Sequence, residues 1–410
     1  PKYIDLKLDR MLRILNALGN PHHSLPPTIH IAGTNGKFST LKFIQSILGA
    51  MNKTTNAYIS PHLVRFNERF ELMDKIIDND SLSAILNEVK STNADQPITF
   101  FEITSVCFFL AAARNQADYT LLEVGLGGRL DSSNVMTPKI SVITSISNDH
   151  HDFLGDTIEK IAFEKAGIIK PNVPVIIGQQ PYKEALEVLI NQAKKLEAPA
   201  FVYKQDWNIK QNENKICYSD EKGELFLEPL NINGEFQLYN LGLAIAATRK
   251  IENQNVKNAL SHNPHLKIKL PGRIQQINNG KYFKLISPQN ELFLDGSHNE
   301  DAAFQLNLAM QNMPQVKDLV MIIGMINTKD PINYVKQLKG LVAIKTITIP
   351  DEVSAIPAEQ LSSKLTGLVS EVSQANSIEE AIRSLSNEYP QARILICGSL
   401  YLAGQVLKYN

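Results

Sequence analysis

Short, mainly apolar runs alternate with longer amphipathic stretches along most of this chain. From about residue 29 to 180 the apolar runs TIHIAG, NAYIS, YTLLEVG, ISVITSI and VPVIIG are of strand length. The stretches between them, STLKFIQSILGAM, SLSAILNEVK, TSVCFFLAAARNQ and TIEKIAFEKAGII, have helical spacing. Unbroken apolar strands suit a sheet buried on both faces, and intervening helices are the connections of a parallel sheet. Residues 200–230 read differently, as polar hairpin-like strands (KICYSD, ELFLEPL), with a helix following at about 237–253. They predict a small antiparallel addition to the first domain. A Pro-Gly break in LPGRIQQI, residues 270–277, marks the boundary, giving domains 1–270 and 271–410. Beyond it ELFLD, LVMIIGM, AIKTITI and RILICG alternate with AAFQLNLAMQ, NYVKQLK, EEAIRSLSN and SLYLAGQVL. The expected class is therefore α/β: an N-terminal P-loop-type domain on a mostly parallel sheet, and a smaller C-terminal Rossmann-like α/β domain.

Composition narrows the partners. At 410 residues the chain exceeds one ordinary domain of about 150 residues. Its 41 basic and 42 acidic residues leave a formal charge of −1, which offers no electrostatic footprint for nucleic acid or anionic membrane. Cys107, Cys217 and Cys397 are widely separated, so neither a disulfide framework nor a zinc site is expected. The start, PKYIDLKLDRMLRIL, has the spacing of an amphipathic helix instead of an uninterrupted signal core. No apolar stretch approaches the roughly 18 residues of a membrane span. A soluble cytoplasmic protein is expected, and a monomer, since each domain can bury its own sheet.

Ile29 to Thr40, IHIAGTNGKFST, joins an apolar strand to a helix start through Gly-Thr-Asn-Gly-Lys and two hydroxyls. Glycines let the backbone turn tightly and aim successive N–H groups at a polyphosphate, Lys37 adds a mobile cation, and the helix presents its N-terminus. ATP is the ligand this predicts. The fit to G-x-x-x-x-G-K-[ST] is imperfect, because Gly33 lies three residues before Gly36 and Phe38 follows Lys37. A metal-binding hydroxyl has to come from elsewhere, or the segment is an ordinary glycine turn.

Ligands of open α/β sheets sit beyond the carboxyl ends of the strands, and polar groups gather there. Ser60-Pro61-His62 follows NAYIS, Glu102 opens a helical stretch, GLGGRLDSSN follows YTLLEV, and Asn148-Asp149-His150-His151-Asp152 follows ISVITSI. Each has an ordinary alternative: a turn cap for Ser60, a dipole-favoured helix acid for Glu102, a flexible turn for GLGG, a structural imidazole for each His. Together Ser60, Glu102 and His150 form a hard-ligand set suited to Mg²⁺ among phosphate oxygens. Glu164-Lys165 reads, from the residues alone, as a surface ion pair on a helix. In Asp295-Gly296-Ser297-His298-Asn299, Asp295 could accept ribose hydroxyls and His298 could face phosphate or substrate, or an Asp or Asn simply caps the next helix.

The motifs HIAGTNGKFST (30–40), ISPHL with FNERF (59–70), TFFEITS (99–105), LLEVGLGGRLDSSNV (121–135), DHHDFLGDTIEKIAFEKAGIIK (149–170), LPGR (270–273), LDGSHNEDAA (294–303) and GSLYLAG (398–404) occur in this order. In them the chain resembles, over nearly its whole length, the folylpolyglutamate synthase and dihydrofolate synthase family, a branch of the Mur ligase superfamily. The resemblance implies ATP-dependent amide ligation of L-glutamate to dihydropteroate or folate through an acyl phosphate, with one or two Mg²⁺ ions. It implies that Lys37, the backbone of Gly33, Thr34, Asn35, Gly36 and Ser39, and Thr40 hold ATP phosphates. Asn240 would lie near the adenine, Arg273 would contact phosphates, and Asp295 would hold ribose or phosphates. Ser60, Glu102 and His150 would bind a first Mg²⁺, and a carbamylated Lys165 a second. His298 would face glutamate or the transferring phosphate, and Asp152 and Arg129 would serve the substrate. Lys37, His150, Lys165 and His298 are thus the expected catalytic set, with both domains closing on one nucleotide.

Three positions depart from the family pattern: Phe38 for the glycine of TNGKGS, Ser147-Asn148 for Gly-Leu, and Ser297 for alanine. Compact length and DHHDFLG favour the bifunctional bacterial form over a monofunctional folylpolyglutamate synthase. A cell-wall Mur ligase would need a further domain ahead of Gly33, where 32 residues precede it. A nucleotide-dependent switch, binding ATP without ligation, is the reading from another class.

Overall fold

The computed structural model describes residues 7–410 apart from 213–214, 231, 253–254, 263–265, 267 and 316, with 151–152, 255 and 261–262 described by backbone alone. The chain forms two compact units. The first comprises Pro1–His62, Phe66–Asn231 and Gln237–Lys269; the second comprises Leu63–Arg65, Ile232–Phe236 and Leu270–Asn410. The short segments belong to the second unit for a packing reason, since Leu63 and Phe236 lie against its two apolar clusters.

In the first unit eight strands form one sheet: β1 (Thr28–Ala32), β2 (Thr55–Tyr58), β3 (Phe70–Leu72), β4 (Lys75–Ile76), β5 (Tyr119–Glu123), β6 (Ile140–Ile143), β7 (Val175–Ile177) and β8 (Ala200–Val202). Their order is β4-β3-β2-β5-β1-β6-β7-β8. Neighbours from β2 to β8 pair parallel, and β3 and β4 add an antiparallel edge. Every residue of β1, β2, β5, β6 and β7 is buried, as their apolar runs require. Strands β3, β4 and β8 are too short to leave such a signal.

The α-helices of this unit are α1 (Asp9–Ala17), α2 (Lys37–Ala50), α3 (Asn79–Asn93), α4 (Phe100–Arg114), α5 (His151–Leu154), α6 (Ile158–Ala166), α7 (Lys183–Lys195), α8 (Glu235–Glu252), whose start lies in the second unit, and α9 (Asn255–His262). Reading apolar runs passes over α7, whose buried stripe is only Ala185, Leu189 and Ala193 among charged residues. The antiparallel addition is a three-stranded sheet of β9 (Trp207–Asn212), β10 (Lys215–Asp220) and β11 (Gly223–Leu227).

Strand β1 lies between β5 and β6, so the loops leaving these three strands open at one carboxyl edge, where the strand order reverses. That edge positions the candidate site.

The second unit carries β12 (Gln275–Gln276), β13 (Glu291–Leu294), β14 (Leu319–Ile323), β15 (Leu341–Thr346), β16 (Glu371–Gln374) and β17 (Arg393–Cys397), in the order β12-β13-β17-β14-β15-β16. All pairs are parallel except β12 with β13. Alternate residues go to opposite faces: Met321, Ile323 and Leu395 enter one apolar cluster, while Val320, Ile322 and Ile394 enter the other. Among the described residues no helix is long and apolar enough to cross a membrane.

Candidate active site

Strand β1 ends at Ala32 and α2 starts at Lys37, leaving Gly33–Gly36 as the loop between them. A Cβ on Gly33 would lie 1.8 Å from Thr144 Oγ1. Gly36 has φ 90°, and a Cβ there would lie 2.4 Å from Asn240 Oδ1, so space and backbone both call for glycine. The segment after β6 clamps the loop. Thr34 and Asn35 N–H donate to Ser145 O, Thr34 Oγ1 donates to Ser147 O at 3.1 Å, and Asn35 Nδ2 donates to Ser147 Oγ at 3.1 Å. Ser147, one of the departures, thus contributes its hydroxyl as well as its backbone. Lys37 Nζ folds back to donate to Gly33 O at 3.0 Å and Thr34 O at 3.2 Å. Phe38 is half-buried with its ring centre 5.8 Å from Lys42 Nζ. The first bond back into the helix start runs from Thr40 N–H to Gly36 O, so the N–H groups of Lys37, Phe38 and Ser39 head α2 ahead of it. Ser39 and Thr40 are buried, and Thr40 Oγ1 has no hydrogen-bond partner.

Beyond β2, Ser60 N–H donates to Glu123 Oε2 at 3.1 Å, and Glu123 is the buried last residue of β5. Ser60 Oγ is buried without a hydrogen bond. An unsatisfied buried hydroxyl costs about 1–3 kcal/mol, and a cation that accepts oxygen ligands would relieve this one beside a buried carboxylate. Hydroxyl and carboxylate are the donors Mg²⁺ or Mn²⁺ takes. Glu102 does not join them. Its Oε2 accepts Thr99 N–H at 2.7 Å in a reciprocal capping box at the start of α4, and Arg10 lies against it at 3.0 Å. Glu102 is therefore withdrawn as a metal ligand, and Glu123 replaces it as the candidate. The T-x-x-E spacing signals the cap, and an acid closing the apolar run LLEV signals the ligand. Among the described residues no three His, Cys, Asp or Glu side chains gather into a metal cage, so Ser60 and Glu123 offer a partial shell.

Helix α6 carries Lys165 inward, on the stripe of Ile161, Ala162 and Ala166. Lys165 is 5% exposed and donates from Nζ to Gly33 O at 2.9 Å, the carbonyl that Lys37 also reaches. The surface pair expected of Glu164-Lys165 is not made, because Glu164 pairs instead with Arg129 at 2.8 Å. Burial, then repulsion from Lys37, lowers the Lys165 amine to about 7, while Asp149 and Asp131 act in the opposite sense. Near neutral pH much of this amine is unprotonated and nucleophilic. A lysine four residues after Ile161 on an apolar stripe was the signal for its burial.

The remaining sequence candidates are placed as follows. Asn240 of α8 directs Oδ1 at Gly36 and donates from Nδ2 to Gln237, so it stands at the turn of the loop. Arg129, committed to Glu164, lies over Phe163. Asp131 gathers the glycine loop after β5, accepting from Gly125 and Leu126 N–H and from Ser133 N–H and Oγ. His150 follows β6 in left-handed backbone, φ 56°, with its side chain 44% exposed. Asp152 lies in α5, its side chain outside the described residues.

In the second unit Asp295 is buried, accepting Ile274 N–H at 2.7 Å and Ser297 N–H at 2.8 Å. Its carboxylate thus shapes the LPGR and DGSHN turns, with one N–H bond on each oxygen. Ile274 has φ 46°, strained for a β-branched residue, directly after Arg273. Ser297 Oγ pairs with Tyr334 at 2.7 Å, which gives that departure a partner. His298 donates from Nδ1 to Gly296 O at 3.0 Å. Asn299 is the cap of the helix Glu300–Gln311.

One group escaped the motif reading. Arg69, in FNERF, is buried, donates from Nε to His62 Nδ1 at 2.9 Å, and has an unpartnered buried Nη1. Its guanidinium lies 5.5–5.9 Å from the rings of Phe66, Phe100 and Phe101, of which Phe100 is 53% exposed. A desolvated cation behind open aromatic faces can receive a flat aromatic acid.

Comparison with known proteins bears on this arrangement. Residues 31–248 match the family model of the Mur ligase middle domain, and residues 278–409 match that of the dihydrofolate synthetase C-terminal domain. The chain is 31% identical to the dihydrofolate synthase/folylpolyglutamate synthase of Bacillus subtilis, covering 98% of this chain and 94% of that protein. It is similar in structure to Escherichia coli FolC solved with DHPP and ADP, with TM-score 0.87 and 28% identity over 99% of this chain and 93% of that one. It is likewise similar to the bifunctional enzyme of Yersinia pestis solved with AMPPNP and a Mn ion, with TM-score 0.85 and 26% identity over 98% and 93% of the two chains.

Proposed function

We propose, from the premise that this chain belongs to the dihydrofolate synthase/folylpolyglutamate synthase family and is an ATP-dependent ligase, that it joins L-glutamate to both dihydropteroate and reduced folates. One observation carries the reading: a glycine-lysine loop and a buried hydroxyl–carboxylate pair share one edge of the sheet, with Glu123 in register with Ile31 of β1. The relatives are named for the products dihydrofolate and folylpolyglutamate, and action as a cytoplasmic monomer belongs to the same reading.

A carboxylate is a poor electrophile, so its oxygen first attacks the γ-phosphorus of ATP, expelling ADP. The glutamate amine then attacks the acyl carbon, and phosphate leaves. Negative charge builds at each stage, and fixed donors and cations stabilise it. Lys37 exchanges the Gly33 and Thr34 carbonyls for phosphate oxygens, and the leading N–H groups of α2 join it. Asn240 holds the loop at Gly36. Ser60 and Glu123, with His150, hold a divalent cation, which when bound neutralises the transferring phosphoryl group. The unprotonated Lys165 amine forms a bond to the carbon of CO₂ and releases a proton to solvent. The resulting carbamate at Lys165 would offer oxygen ligands with which a second cation could be held. Arg273 serves the phosphates, His298 the glutamate or the phosphoryl group, and Asp152 and Arg129 the acceptor substrate. Arg69 and its three phenylalanines hold the aromatic acid.

The test is product identification by mass, with MgATP, glutamate and either dihydropteroate or tetrahydrofolate. Products from both are expected. Product from tetrahydrofolate alone would reduce the function to folylpolyglutamate synthesis, and product from neither would refute ligation.

A further inference from the structure

The first unit contains a second cavity, of about 820 Å³, that none of these roles uses. Its lining includes Thr28 at the start of β1 and Lys139 just before β6, whereas the nucleotide loop leaves the other end of β1. Five residues of strand, at about 3.3 Å each, separate the two. The volume is within the range of small-molecule sites, roughly 300–1,000 Å³.

The wall is two-sided in chemistry. Leu12, Leu25 and Met136 give it an apolar body, while Lys139, Lys170 and His22 supply the polar groups. Among the described residues no aspartate or glutamate lines it. Lys170 is partly buried, makes no ion pair among the described residues, and is held below the usual lysine range by desolvation. A desolvated ammonium without an ion pair among the described residues, at the wall of a cavity that no carboxylate lines there, is costly unless an anion completes it.

We propose that this cavity binds an organic anion with a flat apolar body, at a site separate from ligation. The anionic group meets Lys170, Lys139 stands at the exposed rim, and the apolar body lies against Leu12, Leu25 and Met136.

The probe is 8-anilino-1-naphthalenesulfonate, titrated by fluorescence into the full chain saturated with Mg-AMPPNP. Its uncharged analogue N-phenyl-1-naphthylamine serves as the control. One saturable site is expected, weakened about tenfold or more in Lys170→Gln or in Lys139→Gln, with the uncharged probe indifferent to both changes. Lys139 is exposed, so that variant retains a folded protein to test if Lys170→Gln does not fold. Non-saturable binding, unchanged affinity in both variants, or displacement of the probe by dihydropteroate would overturn the proposal.

Discussion

Lys165 and Lys37 donate to the same carbonyl, that of Gly33, and two ammonium groups share it because burial drives one of them toward neutrality. The consequence for stability has a definite sign. With the Lys165 pKa lowered from 10.5 to about 7, the unfolded chain binds the extra proton between those limits. In CO₂-free buffer stability therefore gains from this group as pH rises from about 7 to 10.5, by at most about 1.4 kcal/mol per pH unit. Denaturant melts of Lys165→Met should lack that increment, and an unchanged pH slope would contradict it. For activity, Lys165→Ala should abolish ligation and regain part of it with added acetate; full activity in the plain variant would remove the carbamate from the account. The two glutamates separate structure from chemistry. Glu102→Ala should cost about 1 kcal/mol through the cap and the Arg10 pair yet leave ligation largely intact. Glu123→Gln should lower the rate by at least 100-fold at similar stability, and the opposite ranking in melts and rates would restore Glu102 to the site.

At the scale of elements the phosphate loop is the sharpest case, because its geometry depends on where two strands end. Gly36→Ala introduces a Cβ at φ 90° facing Asn240, and calorimetry should show ADP affinity falling at least tenfold. Wild-type affinity would mean the loop rearranges freely. Strands buried on both faces were legible as apolar runs, and α2, α4 and α6 followed from their spacing. Glu102 misled because a capping box and a metal ligand both put an acid at a helix start. Lys165 misled because neighbouring helix positions point in different directions, so charge adjacency in sequence said nothing about the pair. Arg69 stands in the FNERF motif, but its role was not legible there, since its surroundings come from two segments about 30 residues apart, Phe66 and Phe100-Phe101. The bond from Ile274 N–H to Asp295 was not legible, because it joins two turns 21 residues apart.

For the whole molecule, the two matched family models fall one in each unit, on residues 31–248 and 278–409, and each unit encloses its own apolar core. A ligase couples ATP cleavage to amide formation, so phosphate and amide product must appear in fixed ratio. Phosphate release from MgATP is measured with dihydropteroate present, with and without L-glutamate, alongside the amide product. The account predicts sustained release only with glutamate, one phosphate per amide bond formed. Release that continues without glutamate, or without amide product, would show a nucleotide-hydrolysing switch and contradict it.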